Sequence, residues 1–327
     1  MDNTFPIDPN EGEVIHDLQP FVRVYKDGTI KRLSGYEVCD PGLDARTGVL
    51  SKDVLIVPET GVSARLYRPN IIADGEKLPL VVYFPGGAYM ISSPWFPGYH
   101  NSLNNLVAQA KVVVVSVDYR KAPEHPLPVA FDDSWDALKW AASHASGAGT
   151  EPWLLNNVDF DRVFLAGDSA GASISYQLMF RSKNTEMMAT GLKLVGMILI
   201  NPYFWGKEPI GAEVTNTVLK GLVDKWWAFV CPSDKGNDDP LVNPMAEGAP
   251  PLKELGCARV IVCVAEQDIL RDRGVLFYES LEKSEWKGKA KLIDVQGEGH
   301  IFHIFKPDCE NATNMIKGLA DFIHDKM

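Results

Sequence analysis

Short apolar runs alternate with amphipathic stretches over most of this chain. The apolar runs are rich in β-branched residues and predict strands that are buried on both faces of a sheet. The stretches between them repeat apolar residues at helical spacing. Alternation of this kind is typical of an α/β fold with a mostly parallel sheet covered by helices. The predicted strands are 54–58, 64–67, 80–84, 112–117, 163–166, 194–200, 260–265 and 291–295, and the predicted helices are 102–110, 131–144, 172–181, 273–284 and 312–324.

Two segments do not follow this alternation. Residues 1 to about 50 precede the core strands, and residues from about 205 to about 236 form a helix-like insertion between two of them. Helical insertions in α/β enzymes tend to cover the site at the carboxyl edge of the sheet. We therefore predict one domain, 1–327, in which these two segments form a helical cap.

The pentapeptide Gly167-Asp168-Ser169-Ala170-Gly171 joins a predicted strand directly to a predicted helix. A serine on such a sharp turn needs glycine two residues away on either side, because larger side chains would collide with the backbone. The Ser169 hydroxyl then projects above the sheet. The Ala170 amide opens the helix, where backbone donors and the helix dipole favour a developing oxyanion. The motif and its flanks predict a serine nucleophile.

A nucleophilic serine needs a histidine base, and the base needs a carboxylate to orient it. In a strand-turn-helix site of this kind the chain order is serine, acid, histidine, each after a strand. Asp268 follows the strand 260–265, and His300 follows the strand 291–295 and a glycine-rich turn. These two residues are therefore the predicted acid and base.

Each of these assignments has a competitor. Asp272 is a second acid, but it lies one turn into the next helix between Arg271 and Arg273, which predicts a salt bridge. His303 is a second histidine, but its neighbours are apolar, which predicts a packed and hydrogen-bonded side chain. His300 with His303 also lacks the further ligands that a metal site would need.

The loop after strand 80–84 has to supply the remaining oxyanion donors. Together with other blocks of sequence, it makes the chain resemble plant carboxylesterases of the hormone-sensitive-lipase-like α/β-hydrolase group along nearly its whole length. The blocks are Phe84-Pro85-Gly86-Gly87-Ala88, Asp118 to Pro128, Gly167 to Gly171, Asp268 to Gly274 and Gly299 to His303. The resemblance implies a triad of Ser169, Asp268 and His300, and an oxyanion hole made by the amides of Gly86, Gly87 and Ala170.

The chain departs from the family pattern in this loop. Pro85 stands where the family has histidine, and Ala88 stands where it often has a third glycine. Since backbone amides bind the oxyanion, a hole can still form, but proline restricts its own backbone and that of Phe84. Tyr89 adds a phenol to the same loop, either as a proton donor or as a packed aromatic.

Composition narrows the choice of ligand. The chain has 46% hydrophobic and 23% charged residues, enough for a buried core, and no apolar segment of the length that spans a membrane. A formal net charge of -11 argues against nucleic acid or an anionic membrane as the main partner. The five scattered cysteines show no zinc spacing. We expect a small-molecule ligand and neither a metal nor an organic cofactor. Because residues 1–10 carry no export signal, we expect a cytoplasmic protein.

The resemblance leaves three functions open, because the group includes ester hydrolases, lyases and cyclases such as alkaloid cyclases and hydroxyisoflavanone dehydratases, and gibberellin receptors. The receptors have lost the catalytic histidine, whereas His300 is present here. Lyases and cyclases tend to alter a triad member or the oxyanion loop, and this chain alters only the loop. We therefore predict hydrolysis of a small apolar ester, such as an acetyl or methyl ester of a plant specialised metabolite or alkaloid. The aromatic residues predicted to line its pocket are Tyr89, Trp95, Phe204, Trp226 and Trp227.

Overall fold

A computed structural model describes residues 5–7, 12–183 and 189–324 of the chain. Numbered along this described part, the strands are β1 (Val14–Leu18), β2 (Val22–Tyr25), β3 (Ile30–Arg32), β4 (Leu43–Asp44), β5 (Val49–Val57), β6 (Val62–Pro69), β7 (Leu78–Phe84), β8 (Val113–Asp118), β9 (Val158–Asp168), β10 (Leu194–Ile200), β11 (Arg259–Ala265) and β12 (Lys289–Val295). The α-helices are α1 (Pro97–Ala110), α2 (Val129–Ala145), α3 (Pro152–Asn157), α4 (Ala170–Arg181), α5 (Ala212–Thr215), α6 (Thr217–Val230), α7 (Arg271–Lys283), α8 (Phe302–Phe305) and α9 (Glu310–Ile323).

Nine strands form one sheet in the order β12-β11-β10-β9-β7-β8-β6-β5-β4. The pairs from β12 to β8 are parallel, and β6, β5 and β4 extend the sheet with antiparallel pairs. The predicted α/β architecture and all eight predicted strands are confirmed. The parallel strands end at a common edge, and the candidate nucleophile, acid and base all follow strands that end there.

Helices cover both faces of this sheet, which explains the continuous apolar runs. On β8, Val113 and Val115 pack toward α2, α4 and α7, whereas Val114 packs toward α1 and α9. Successive side chains of a strand point to opposite faces, so a strand between two helical layers buries every residue. The five predicted helices correspond to α1, α2, α4, α7 and α9.

The N-terminal part of the predicted cap is not helical in the described residues. Strands β1, β2 and β3 form a separate antiparallel sheet, and the prediction of a helix there is wrong. The polar turn Lys26-Asp27-Gly28 closes a hairpin, in which the Gly28 amide donates to the Tyr25 carbonyl at 2.9 Å. Gly28 adopts a φ of 88°, a conformation that favours glycine. Residues 1–4 and 8–11 of the predicted cap lie outside the described residues.

The second part of the predicted cap is helical, and it is attached to the core by charge pairing. The buried Arg273 of α7 donates from Nε and Nη2 to both carboxylate oxygens of Glu213 in α5, at 2.7 and 2.8 Å. Helix α6 follows, and its Trp226 ring packs edge-on against Phe21 at 4.8 Å between centroids. The N-terminal sheet and the insertion therefore contact each other.

The first turn of α4 provides a test of this packing. A Cβ on Gly171 would lie 1.7 Å from the Phe84 carbonyl oxygen at the end of β7, so the backbone itself would have to move. We expect Gly171→Ala to lower the free energy of unfolding by about 3 kcal/mol or more, measured by denaturant titration.

Gly221→Ala is the matched control, because this glycine also lies in a helix but a Cβ there would meet nothing within 4 Å. We expect it to leave stability unchanged or to raise it by up to about 1 kcal/mol. Equal stability of the two variants would contradict the close contact between α4 and β7.

Candidate active site

Ser169 occupies the turn between β9 and α4 in a backbone conformation that is rare for serine. Its φ is 50° and its ψ is -119°. The turn is held by a hydrogen bond from the Ser169 amide to the Ile200 carbonyl at 2.9 Å. A Cβ on Gly167 would lie 2.4 Å from the backbone of Gly171, so the close crossing needs glycine. The structure therefore shows the strained strand-to-helix turn that the pentapeptide predicts.

The three residues of the predicted triad lie in hydrogen-bond contact. His300 Nε2 is 3.0 Å from Ser169 Oγ, and His300 Nδ1 is 2.7 Å from Asp268 Oδ2. The buried Asp268 also accepts from the Leu270 amide and from Asn201 Nδ2, both at 3.0 Å. These partners fix the carboxylate so that one oxygen faces the imidazole. This geometry lets the Ser169 proton pass to His300.

Sequence reasoning missed Asn201, which orients the carboxylate from the end of β10. Its backbone φ is 43°, and its backbone N–H donates to the Cys263 carbonyl at 2.7 Å. An asparagine after a strand is also common in ordinary turns, so the sequence carries no specific sign of this role.

The charge of Asp268 sets the protonation of His300. Burial lowers the pKa of His300, but the neighbouring charge of Asp268 and its hydrogen bond raise it by more, so the net direction is upward. A carboxylate at Nδ1 also selects the tautomer with the proton on that nitrogen. Above this raised pKa, Nε2 is free to accept the proton of Ser169.

The two competing residues lie outside this relay, as predicted. Asp272 pairs with Arg271 at 3.2 Å and accepts from the Ala212 amide at 2.8 Å, which anchors α5. His303 is buried, and neither ring nitrogen has a hydrogen-bond partner in the described residues. Burial, followed by the nearby charge of His300, lowers the pKa of His303 to about 3. His303 is therefore a neutral packed side chain, although the predicted hydrogen bond is missing.

The Gly86 amide points away from the site. It donates to the Tyr99 hydroxyl oxygen at 2.8 Å and to Asp168 Oδ1 at 3.2 Å, and both acceptors are buried. The assignment of Gly86 to the oxyanion hole is therefore wrong. The neighbouring carbonyl of Pro85 is also fixed, since it accepts from the Tyr119 hydroxyl at 2.6 Å. Proline here removes no amide that the site uses.

The amides of Gly87 and Ala88, the next two in the loop, are better placed to bind an oxyanion. Gly87 and Ala88 have positive φ values of 107° and 51°, and both line the same cavity as Ser169. Within the described ranges, the structure records no acceptor for the amides of Gly87, Ala88 or Ala170. Ala88 was missed because a positive φ at an alanine is not readable from sequence. The available donors are therefore Gly87, Ala88 and Ala170.

A cavity of about 460 Å³ opens above Ser169 and His300. Most of its wall is apolar, and it is contributed by the N-terminal segment, the loop after β7, helix α6 and the turn around His300. Among the described residues, the acidic and basic side chains in the wall are Glu37, Asp268 and His300. The main apolar and aromatic wall residues are Phe5, Phe21, Ile91, Phe96, Tyr203, Leu219, Val223, Trp226, Ile301, Ile304 and Phe305.

Trp226 is the one aromatic residue of the five predicted for the pocket that lies in the described wall of this cavity. Tyr89 and Trp227 are fully buried and pack against each other, with ring centroids 6.3 Å apart. Phe204 packs on Phe277 at 4.9 Å, and Trp95 is half-buried outside the cavity. Neighbouring residues of a helix point about 100° apart, so Trp226 faces the cavity while Trp227 faces the core.

Two further properties concern cofactors and membranes. The described residues contain no group of three or more His, Cys, Asp or Glu side chains arranged to hold a metal ion. All five cysteines are free thiols. Across the described ranges, no helix is both long and apolar enough to cross a membrane.

Comparison with known proteins places these features in context. Residues 81–304 match a family model described as the alpha/beta hydrolase fold. Probable carboxylesterase 2 of Arabidopsis thaliana is 54% identical, over 95% of this chain and 97% of the relative. The 2-hydroxyisoflavanone dehydratase of Glycine max is 41% identical, over 95% of this chain and 99% of the relative. A solved esterase of Pyrobaculum calidifontis is 28% identical with a TM-score of 0.69, over 84% of this chain and 85% of that chain.

The raised pKa of His300 predicts the pH dependence of acylation. Below this pKa, Nε2 carries a proton and cannot accept another from Ser169, so the rate falls as the pH falls. We expect the acid limb of kcat/KM with p-nitrophenyl acetate to have its midpoint above about 6.5, the usual imidazole value. The pH–rate profile measures this midpoint.

Asp268→Asn removes the charge that raises the pKa of His300, so we expect it to move the acid limb to lower pH and to lower kcat by about 10⁴-fold. Asp272→Asn is the control, since Asp272 pairs with Arg271 and not with His300. It should leave the limb in place. If the acid limb of Asp268→Asn had the same midpoint as that of Asp272→Asn, Asp268 would not act on the pKa of His300.

Proposed function

Because this chain belongs to the α/β-hydrolase family, and within it to the group of plant carboxylesterases and 2-hydroxyisoflavanone dehydratases, we propose that it is a serine carboxylesterase. The observation that carries the proposal is the hydrogen-bonded series from Ser169 through His300 to Asp268 at the base of an apolar cavity. The 54% identity to a protein named a probable carboxylesterase supports the same activity.

The first half of the reaction forms an acyl-enzyme. His300 Nε2 takes the proton of Ser169 while Oγ attacks the ester carbonyl carbon. The carbonyl oxygen becomes negative and accepts hydrogen bonds from the amides of Gly87, Ala88 and Ala170. The charge of Asp268 stabilises the imidazolium of His300. His300 then gives its proton to the leaving alcohol oxygen as the ester bond breaks.

The second half releases the acid. A water molecule takes the place of the alcohol, and His300 removes its proton as it attacks the acyl carbon. The same amides hold the second oxyanion, and the bond to Ser169 Oγ breaks as His300 returns the proton to it. The acid leaves, and Ser169, His300 and Asp268 are restored.

The cavity favours a neutral substrate. No Lys or Arg lies in the described part of its wall, and Glu37 adds a negative charge at an exposed position. Moving a carboxylate into an apolar cavity without a cation is unfavourable by several kcal/mol. We propose a small apolar ester, such as an acetyl or methyl ester of a plant specialised metabolite or an alkaloid. We also propose that the enzyme works in the cytoplasm without a metal or organic cofactor.

A second candidate is elimination or cyclisation in the same cavity. It is favoured by the 41% identity to a protein named a dehydratase and by the altered loop at Pro85. In that reaction His300 moves a proton while the leaving group departs, and no bond to Ser169 forms. A role in binding alone is disfavoured, because Ser169 Oγ lies 3.0 Å from His300 Nε2, as a working nucleophile requires.

Intact-protein mass spectrometry after mixing with a fluorophosphonate tests the acyl-enzyme mechanism. For an esterase we expect stoichiometric labelling that is lost in Ser169→Ala, together with a loss of p-nitrophenyl acetate hydrolysis by about 10⁴-fold or more. Ser175→Ala is the matched control, because Ser175 is a buried serine in α4 whose hydroxyl donates to the Gly171 carbonyl. Ester turnover that persists in Ser169→Ala would contradict the acyl-enzyme mechanism.

Substrate charge provides an independent prediction. We compare kcat/KM for three esters of one size, with a neutral, an anionic or a cationic group on the alcohol part. We expect the neutral ester to exceed the anionic one by about 100-fold or more, because the anion has no counter-charge in the cavity.

Glu37→Gln should raise the rate for the anionic ester by about 2- to 5-fold, since an exposed charge acts weakly, and should leave the neutral ester unchanged. Glu59→Gln, an exposed glutamate that is not in the cavity wall, should change neither rate. Equal rates for the neutral and anionic esters would rule out selection by charge.

A further inference from the structure

A second buried carboxylate lies beside the nucleophile, and the proposed reaction does not use it. Asp168 is fully buried and directly precedes Ser169. Its Oδ1 accepts from the Tyr83 hydroxyl at 2.7 Å and from the Gly86 amide at 3.2 Å, and its Oδ2 accepts from the Tyr99 hydroxyl at 2.8 Å. All three donors are main-chain or phenolic groups with no formal charge.

The phenols of this cluster stay protonated and keep donating. Burial first, and then the charge of Asp168, raise the pKa of Tyr83 and of Tyr99 well above the usual phenol value. Burial also raises the pKa of Asp168, while the hydrogen bonds from the two tyrosines act in the opposite direction. The cluster therefore consists of two fixed donors and one acceptor, and all three side chains are buried.

This cluster contacts the oxyanion loop at the Gly86 amide. The Tyr99 hydroxyl donates its O–H to Asp168, and its oxygen accepts from the Gly86 amide, both at 2.8 Å. A Cβ on Gly86 would lie 2.5 Å from Asp168 Oδ2 and 3.1 Å from Ser169 Cβ, so the loop lies directly against the nucleophile turn. With the Gly86 amide held inward, the positive φ of Gly87 and Ala88 places both residues in the cavity wall.

We propose that Asp168, together with Tyr83 and Tyr99, is a positioning residue that orients the oxyanion loop by binding the Gly86 amide. It does not touch the substrate. Its carboxylate holds one amide inward so that the next two face the oxyanion. The inference rests on the proposed esterase function, because it concerns the groups that stabilise the charge in that reaction.

The experiment compares binding of an oxyanion with binding of a neutral ligand. A trifluoromethyl ketone adds to the Ser169 hydroxyl and forms a tetrahedral oxyanion, whereas the alcohol product binds the same cavity without one. We measure the inhibition constants of both, with kcat and KM for p-nitrophenyl acetate, in the wild type and in three variants. Circular dichroism and thermal unfolding check that each variant is folded.

The variants differ in what they remove. Asp168→Asn keeps the shape of the side chain but places an N–H group opposite at least one other donor. We expect kcat to fall by about 100-fold, which is close to the effect of losing one oxyanion donor. Tyr83→Phe removes one hydroxyl that does not reach the cavity, and we expect a fall of about 10-fold. Tyr176→Phe is the control, since its buried hydroxyl has no partner in the described residues.

The result expected is a loss of ketone affinity that matches the loss of kcat/KM, with KM and alcohol affinity changed less than about 3-fold. Folded Asp168→Asn and Tyr83→Phe variants with wild-type ketone affinity would overturn the inference, and so would equal losses of ketone and alcohol affinity. If Asp168→Asn does not fold, Tyr83→Phe decides alone. A wild type that neither hydrolyses the ester nor binds the ketone would instead overturn the proposed function and this inference with it.

Discussion

Helix α4 begins in close contact with the end of β7, and this contact determines where the residues of the site lie. Gly171 has no side chain, so α4 starts directly against the Phe84 carbonyl oxygen. This contact brings the loop after β7 beside Ser169 and helps to hold Ser169 in its unusual backbone conformation. A glycine at one helix position therefore allows the hydroxyl and the loop residues Gly87 and Ala88 to share one cavity.

Two buried carboxylates, Asp268 and Asp168, lie near the nucleophile and differ in their hydrogen-bond partners. Asp268 faces the imidazole of His300, where its charge raises the pKa of the base and stabilises the imidazolium. Asp168 accepts hydrogen bonds from the hydroxyls of Tyr83 and Tyr99 and from the Gly86 backbone amide. Burying a carboxylate is unfavourable unless hydrogen bonds satisfy its oxygens, and both carboxylates meet that condition. We propose that Asp268 serves proton transfer and that Asp168 serves the shape of the oxyanion loop.

Sequence reasoning recovered the features that depend on strand order and local spacing. The core strands and the group of Ser169, Asp268 and His300 follow from buried apolar runs and from residues at their ends. It failed where the direction of an amide depends on backbone dihedral angles, or where the direction of a side chain depends on its position around a helix. The direction of the Gly86 amide depends on its hydrogen bonds to Tyr99 and Asp168, which lie 13 and 82 residues away in the chain. The short strands at 14–32 were missed because their burial pattern is irregular and their hairpin depends on one turn.

The most direct test of this account is a crystal structure of the protein after reaction with a phosphonate ester, which mimics the tetrahedral intermediate. We expect a covalent bond from phosphorus to Ser169 Oγ, with the phosphoryl oxygen at about 3 Å from the amides of Gly87, Ala88 and Ala170. The Gly86 amide should still donate to Asp168. A phosphoryl oxygen bound by the Gly86 amide, or an adduct on another residue, would contradict it.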